Sequence, residues 1–171
     1  MGDPLYEQDF YLWTQDQARR LRALQGDNRL DTGNLAEEVA DLGRSELNKV
    51  VSHLRQAFVH ILKSAGVDNA RLEAGWSAEV LFHLDEAQDS FTPGMRQQLD
   101  LDREWRRAER RAQAKLAAHG DPGLPASIPC PFALDQLFDP AFDVPGAVAQ
   151  VRAAFQPTGP NPDGAPDDET S

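Results

Sequence analysis

The longest periodic pattern in the chain runs from about residue 31 to about residue 65. At 100° per residue, most of its large apolar side chains fall within roughly one half of a helical wheel. They are Leu35, Val39, Leu42, Leu47, Val50, Val51, Leu54, Phe58, Ile61 and Leu62. Asp31 is a suitable N-cap and Gly66 a suitable stop, so the pattern predicts one long helix. Because this apolar face is wider than the stripe of a surface helix, we expect it to pack against two or more other helices.

An aromatic segment before this helix leads into another helical pattern. Thr14 followed by Gln17 is a capping-box sequence, which predicts that the first main helix begins at Gln15. Its inward side is predicted to carry Phe10, Trp13, Ala18, Leu21 and Leu24. Within the long helix, Gly43 allows either the close approach of a neighbouring helix or a local bend.

Two further helices are predicted after the long one. The third extends from an N-cap at Asn69 to about Ser90. Its inward residues are predicted to be Leu72, Trp76, Val80, His83, Leu84 and Ala87. Thr92 followed by Pro93 is a helix-start signal, so the fourth helix is expected to run from there to about His119. Its expected contact line is Trp105, Ala108, Ala112 and Leu116.

The remaining chain is predicted to dock on this bundle and then lose order. Prolines between residues 121 and 131 forbid regular structure. The sequence FALDQLF at 132–138 is typical of a docking turn or short helix. Residues 144–155 are predicted to form a last helix. Residues 157–171 contain no large apolar side chain, which predicts a disordered acidic tail. With no alternating strand pattern, the fold class is all-α: a single bundle of about four main helices in a domain spanning 1–156.

Composition narrows the function classes. The 171 residues carry a formal net charge of −11, which argues against binding to nucleic acid or to an anionic membrane surface. Cys130 is the single cysteine, so there is no internal disulfide. The sequence has no apolar run long enough to span a membrane and no secretory signal pattern at its N-terminus. We therefore expect a cytoplasmic protein.

Several separated segments resemble an uncharacterised bacterial family, the domain of unknown function DUF29. They are DFYLWTQDQARRLR from Asp9, LDTGNLAEEVADLGRSE from Leu30, HLRQAFVHILK from His53, Trp76, and CPFALDQLFD from Cys130. The resemblance implies a bacterial, cytoplasmic helical bundle, and it implies no established activity. The sequence AEVLFHLDEA after Trp76 replaces the basic–acidic pair usual in the family, so a polar site on the third helix cannot be assumed from the resemblance.

The candidate polar site is a row on the long helix formed by Glu38, Glu46, His53 and His60. Carboxylate and imidazole suit several transition metals. However, residues seven apart are about 10.5 Å apart along the axis, so neighbours in the row cannot share one ion. A metal site needs ligands from another helix, such as His83 or Glu79. The favoured interpretation is a row of hydrogen bonds that fixes helix register, with no metal and no cofactor.

Other candidate chemistry has a simpler structural explanation. Glu37 and Glu38 point about 100° apart, so one is expected to face inward and the other solvent. Cys130 is expected to be a small packed residue, and the arginine-rich fourth helix a solvated, ion-paired one. The leading hypothesis is a non-enzymatic protein-interaction or regulatory module, and the wide apolar face of the long helix leaves homo-oligomerisation open as well. The alternative is a metal-binding or hydrolytic bundle enzyme using Glu38, Glu46, His53 and His60.

Overall fold

The computed structural model describes residues 3–24, 29–68 and 70–156. Seven α-helices and one 3₁₀ helix form the described part, which contains no strand. The α-helices are α1 (Pro4–Gln8), α2 (Phe10–Ala23), α3 (Thr32–Gly66), α4 (Ala70–Ser90), α5 (Leu101–Ala118), α6 (Leu134–Leu137) and α7 (Val144–Ala154), and the 3₁₀ helix spans Pro93–Gln98. The all-α prediction is therefore confirmed. None of the described helices has the length and apolar character needed to cross a membrane.

Helix α3 is the centre of the bundle, as its wide apolar face predicted. It packs against α2, α4, α5 and α7, and the side chains of Leu54, Phe58 and Ile61 are fully buried. The predicted cap is present, since Asp31 Oδ1 accepts a hydrogen bond from the Asn34 backbone amide at 3.1 Å. The predicted start and end of this helix are confirmed within one residue.

The start of the first main helix was predicted wrongly. Helix α2 begins at Phe10, and its cap is Asp9, whose Oδ1 accepts from the Leu12 amide at 3.0 Å. Thr14 lies buried within the helix, where its hydroxyl donates to the Tyr11 carbonyl at 2.7 Å. A capping box needs a threonine outside the helix, and the earlier acidic cap leaves Thr14 inside it.

The predicted fourth helix is divided into two pieces. Thr92 does not cap it, because its hydroxyl donates to Asp9 Oδ1 at 2.8 Å. The Gly94 amide also donates to Asp9, at 2.7 Å, and the 3₁₀ helix follows. The regular helix begins at Leu101 behind a second cap, Asp100. The Thr92 hydroxyl, which was expected to cap the fourth helix, and the Gly94 amide are therefore used in tertiary hydrogen bonds to Asp9.

Gly43 provides a close approach between helices. A Cβ built on Gly43 would overlap the Thr14 hydroxyl of α2 and lie 3.0 Å from Gln15 Nε2. The side chain of Arg22, near the end of α2, donates to Glu37 near the start of α3 at 2.7 Å. These two contacts show that α2 and α3 run antiparallel and cross closely at Gly43.

The C-terminal segment docks as predicted. Leu134 and Leu137 of α6 are buried, and the Phe132 ring packs edge-on against Trp105 at 5.8 Å between centroids. In α7, Arg152 donates to the Ser64 carbonyl at 2.8 Å and so ties this helix to the end of α3. The predicted N-cap Asn69, the Leu72 side chain and the tail 157–171 lie outside the described residues.

Candidate metal centre

The predicted polar row separates into two parts on the folded helix. Glu38 is exposed near the start of α3. Glu46 is half-buried and accepts from Lys49 Nζ at 2.6 Å, a local contact within α3. Only His53 and His60, both half-buried, face helix α4. The four side chains therefore do not form one site.

Helix α4 supplies a third imidazole to the two histidines of α3. His83 Nδ1 lies 3.0 Å from His53 Nδ1, which is a hydrogen bond whose donor depends on the tautomers. The His83 ring also stacks on the ring of His60, with centroids 5.8 Å apart and planes at 23°. His83 thus bridges the two turns of α3 that carry His53 and His60.

The ligand set with metal-binding geometry is His60, Glu79 and His83. One nitrogen or oxygen atom from each residue lies within 4.8 Å of the others. Glu79 and His83 are four residues apart on α4, so they project from the same face of that helix. His60 completes the set from α3. Glu79 is exposed and the two histidines are half-buried, so the cluster opens to solvent on one side.

Burial keeps the imidazoles in the form that binds metal. The pKa of His60 is lowered to about 4, chiefly by burial and further by the nearby charges of Lys63, His83 and Lys115. The pKa of His83 is also lowered, first by burial and then by His53. A metal displaces a proton from its ligand, so a neutral imidazole at pH 7 removes that competition. His60 Nδ1 is buried and has no hydrogen-bond partner among the described residues.

His53 occupies the position of a residue that orients a ligand. When the Nδ1 atoms of His53 and His83 bond to each other, the Nε2 atom of His83 remains for another partner. Histidine ligands of metals usually bond through their second nitrogen to such a neighbour, which fixes the ring and its tautomer. Phe82 covers the His53 ring edge-on at 6.5 Å between centroids.

Lysine side chains border the cluster. Lys63 Nζ lies 4.2 Å from the ring centroid of Trp76, one turn of α3 beyond His60. Its pKa is lowered, chiefly by burial and then by the charge of Lys115. These positive charges oppose a dication, and Glu79 is the carboxylate in the set that offsets them.

The sequence contained part of the signal for this set. Glu79 and His83 have the spacing of four that helical metal sites use, and both were named as residues that a site would need. What the sequence lacked was the register between α3 and α4, which places His83 beside both His53 and His60. Heptad spacing along one helix makes the row with Glu38 and Glu46 visible in the sequence, whereas contacts between helices are not visible there.

Two other predictions about candidate chemistry have clear outcomes. Glu37 and Glu38 are both exposed, so the expectation that one faces inward is wrong. Glu37 instead pairs with Arg22, whose hydrogen bond and charge lower the pKa of that carboxyl. Burial raises the pKa of the Cys130 thiol to about 11, which fits a packed residue and not a nucleophile.

The fold and this cluster define an all-α bundle with a histidine–glutamate group between its two longest described helices. The chain belongs to the family described as Domain of unknown function DUF29, whose model matches residues 5–143. It is similar to the crystal structure of an alpha-helical protein of unknown function from Rhodospirillum rubrum, with a TM-score of 0.77 and 34% sequence identity. The match covers 87% of this chain and 98% of that one. The search of curated proteins found no match.

Proposed function

We propose that this protein binds a divalent transition metal ion through His60, Glu79 and His83. The observation that supports this proposal is the convergence of their ligand atoms within 4.8 Å from two different helices. Two imidazoles and one carboxylate are a ligand set that suits zinc and neighbouring first-row metals. Three protein ligands leave one tetrahedral position for water, which is also the arrangement of catalytic zinc sites.

Binding requires a modest closure of the site. Tetrahedral ligands at about 2.0–2.1 Å from zinc are about 3.4 Å from one another. The side chains of His60, Glu79 and His83 therefore have to approach by about 1 Å or somewhat more at the widest pair. Glu79 is exposed and the two histidines are half-buried, so we expect side-chain torsions to supply this movement without rearranging α3 or α4.

The test is equilibrium dialysis of the full chain, purified without a metal-binding tag, against Zn²⁺ or Co²⁺. We expect one equivalent of metal, and for Co²⁺ the intense visible bands of a tetrahedral site. Glu79→Gln should weaken binding strongly while leaving the thermal midpoint of the metal-free protein unchanged, because Glu79 is exposed. His60→Ala should abolish binding. His53→Ala should weaken it by about 10–100-fold, the usual cost of losing an orienting partner.

His119→Ala is the matched control. His119 is exposed at the end of α5 and bonds to the Lys115 carbonyl at 2.7 Å, outside the cluster. It should leave the stoichiometry and affinity unchanged. Equal loss of metal in His119→Ala and Glu79→Gln, or no metal bound by the wild-type chain, would contradict the proposal. If metal binds, hydrolysis of an activated ester that is lost in Glu79→Gln would extend the proposal to catalysis.

A protein-interaction role is the second candidate, and exposed leucines favour it. Leu24, Leu30, Leu35 and Leu42 are each between 42% and 55% exposed. Because α2 and α3 run antiparallel, Leu24, Leu30 and Leu35 lie at the same end of that helix pair, with Leu42 two turns further along α3. Several exposed leucines at one end of a helix pair favour a surface that contacts another protein.

The simplest partner to test is a second copy of the chain. Sedimentation equilibrium is expected to show a dimer that Leu35→Ser combined with Leu42→Ser converts to a monomer. Leu81→Ser is the control, since Leu81 is 45% exposed on α4, away from the α2–α3 end. A wild-type chain that stays monomeric up to high concentration contradicts self-association through this surface.

A further inference from the structure

The acidic side chains of α5 are occupied by contacts with other parts of the fold. Asp100 caps the helix, and Asp102 Oδ1 accepts from the Cys130 amide at 3.0 Å. Glu109 accepts from the Ile128 amide at 3.0 Å and from the Ser127 hydroxyl at 2.8 Å. Asp102 and Glu109 thus hold residues 127–130 against the bundle. In the described part of the chain, Asp100, Asp102 and Glu109 form no ion pair with the arginines beside them.

Glu104 is the remaining acid of α5, and it is buried beneath the arginines. Its side chain is 2% exposed and forms an ion pair with Arg55 of α3, itself 13% exposed. Arg103 Nε lies 3.0 Å from Glu104 Oε1, and Arg107 Nη1 lies 3.5 Å from the same oxygen. A single carboxylate thus meets three guanidinium groups, an excess of positive charge at this point.

Three further arginines of α5 have no acidic partner. Among the residues that the structure describes, Arg106, Arg110 and Arg111 form no ion pair within 4.0 Å. The ion pairing expected for this solvated helix is therefore absent at these three positions. In a chain of net charge −11, three unpaired arginines on one helix are an unusual concentration of free positive charge.

Arg110 and Arg111 line a cavity together with two of the three arginines that contact Glu104. The cavity has a volume of about 350 Å³, and its walls are Arg55, Arg107, Arg110, Arg111 and Ala114. Its lining contains no carboxylate. Four positive charges facing one space repel each other unless an anion neutralises them. The volume lies at the small end of the range for ligand sites.

We propose that this arginine pocket binds a small molecule carrying two linked phosphoryl groups. Guanidinium groups present paired donors that match phosphate oxygens, and several of them together favour phosphate over a single carboxylate. Four arginines opposed by the one charge of Glu104 leave three positive charges, close to the charge of a diphosphate at neutral pH. The acidic surface elsewhere repels a long polyanion, so the proposed ligand is small and not a nucleic acid.

The test is calorimetric titration of the full, metal-free chain with inorganic pyrophosphate in chelator and low salt. Removing metal matters because pyrophosphate itself binds metal ions. We expect one equivalent of pyrophosphate to bind, and to bind more tightly than orthophosphate or sulfate at equal ionic strength. Arg110→Gln and Arg111→Gln should each lower the affinity about tenfold or more, the usual effect of losing a charge-assisted contact.

Arg106→Gln is the matched control, because Arg106 is unpaired on the same helix but does not line this cavity. It should change the affinity by no more than about twofold, the effect of diffuse charge. His60→Ala should bind pyrophosphate as the wild type does, which separates this pocket from the metal centre. Arg106, Arg110 and Arg111 are exposed, so the thermal midpoints of the three arginine variants should match that of the wild type.

Three results would overturn the proposal. Equal weakening by Arg106→Gln and Arg110→Gln indicates general attraction to a basic helix face. Equal affinity for sulfate and pyrophosphate indicates an adventitious anion site. Tighter binding of a single-stranded oligonucleotide than of pyrophosphate, with the same dependence on Arg110 and Arg111, would assign the pocket to nucleic acid.

Discussion

The crossing of α2 and α3 at Gly43 gives a sharp test of the packing. Replacing Gly43 with alanine adds one methyl group at this close crossing. That group would overlap the Thr14 hydroxyl and lie 3.2 Å from Thr14 Cβ. Thr14 is fully buried, and its hydroxyl donates to the Tyr11 carbonyl at 2.7 Å, so it cannot turn away without losing that bond.

The expected effect is the difference between two opposing contributions. Alanine is favoured over glycine in a helix by about 1 kcal/mol. Overpacking a tight interface costs about 1–3 kcal/mol, and losing the hydrogen bond of Thr14 costs about 1 kcal/mol more. Gly43→Ala should therefore lower the free energy of unfolding by about 1–3 kcal/mol. The assay is urea denaturation followed by far-ultraviolet circular dichroism.

Gly75→Ala is the matched control for this substitution. Gly75 lies inside α4, and a Cβ built on it meets no atom within 4 Å. The substitution at Gly75 changes only the intrinsic helix propensity, so this variant should be more stable than the wild type by up to about 1 kcal/mol. Glycine-to-alanine replacement within a helix is thus expected to lower the free energy of unfolding at Gly43 and to raise it at Gly75.

A double-mutant cycle identifies the cause at Gly43. Thr14→Ala removes the hydroxyl that the new methyl group would overlap, so Gly43→Ala should cost less in that background than in the wild type. The reasoning is refuted if Gly43→Ala is as stable as Gly75→Ala. It is equally refuted if Thr14→Ala leaves the cost of Gly43→Ala unchanged, since the clash then lies elsewhere.

Three further predictions follow from buried polar groups. Glu104→Gln removes a buried charge that pairs with Arg55 and should lower the free energy of unfolding by about 3–5 kcal/mol, measured by urea denaturation. Glu46→Gln is the control, because its ion pair is more exposed, and it should lower the free energy of unfolding by at most about 1 kcal/mol. Asp9→Ala removes the α2 cap and both contacts to the 3₁₀ segment, so it should cost about 2–4 kcal/mol and increase amide exchange in that segment; unchanged exchange would argue against this link. Burial raises the pKa of the Cys130 thiol from 9.0 to about 11, so little thiolate is present at pH 8. Alkylation at pH 8 should be about 100-fold slower than in the urea-unfolded chain and should rise about tenfold per pH unit toward pH 10, while equal rates in both states contradict a buried thiol.

Local signals in the sequence predicted those parts of the fold that depend on one helix at a time. Helix α3 is marked by its apolar period and its acidic cap, and the structure has both. The start of α2 and the break before α5 were missed for one shared reason. Asp9 accepts from the Leu12 amide and also from Thr92 and Gly94, which lie more than 80 residues away. Propensity and capping rules weigh neighbours in sequence, and so they cannot anticipate a cap that also forms a tertiary contact.

The candidate site was only partly predictable because the helices differ in length. Helix α3 has 35 residues and is about 52 Å long, whereas the 21 residues of α4 extend about 31 Å. Since His83 contacts both His53 and His60, α4 covers the C-terminal part of α3, and α2 covers the part before it. A polar row that continues along α3 therefore meets different neighbours at its two ends. Glu38 is exposed to solvent and Glu46 pairs with a residue of its own helix. His53 and His60 instead contact α4, the helix that carries Glu79. The chemistry of each residue in this row depends on the helix that packs against its turn of α3. The spacing of residues within α3 does not contain that information.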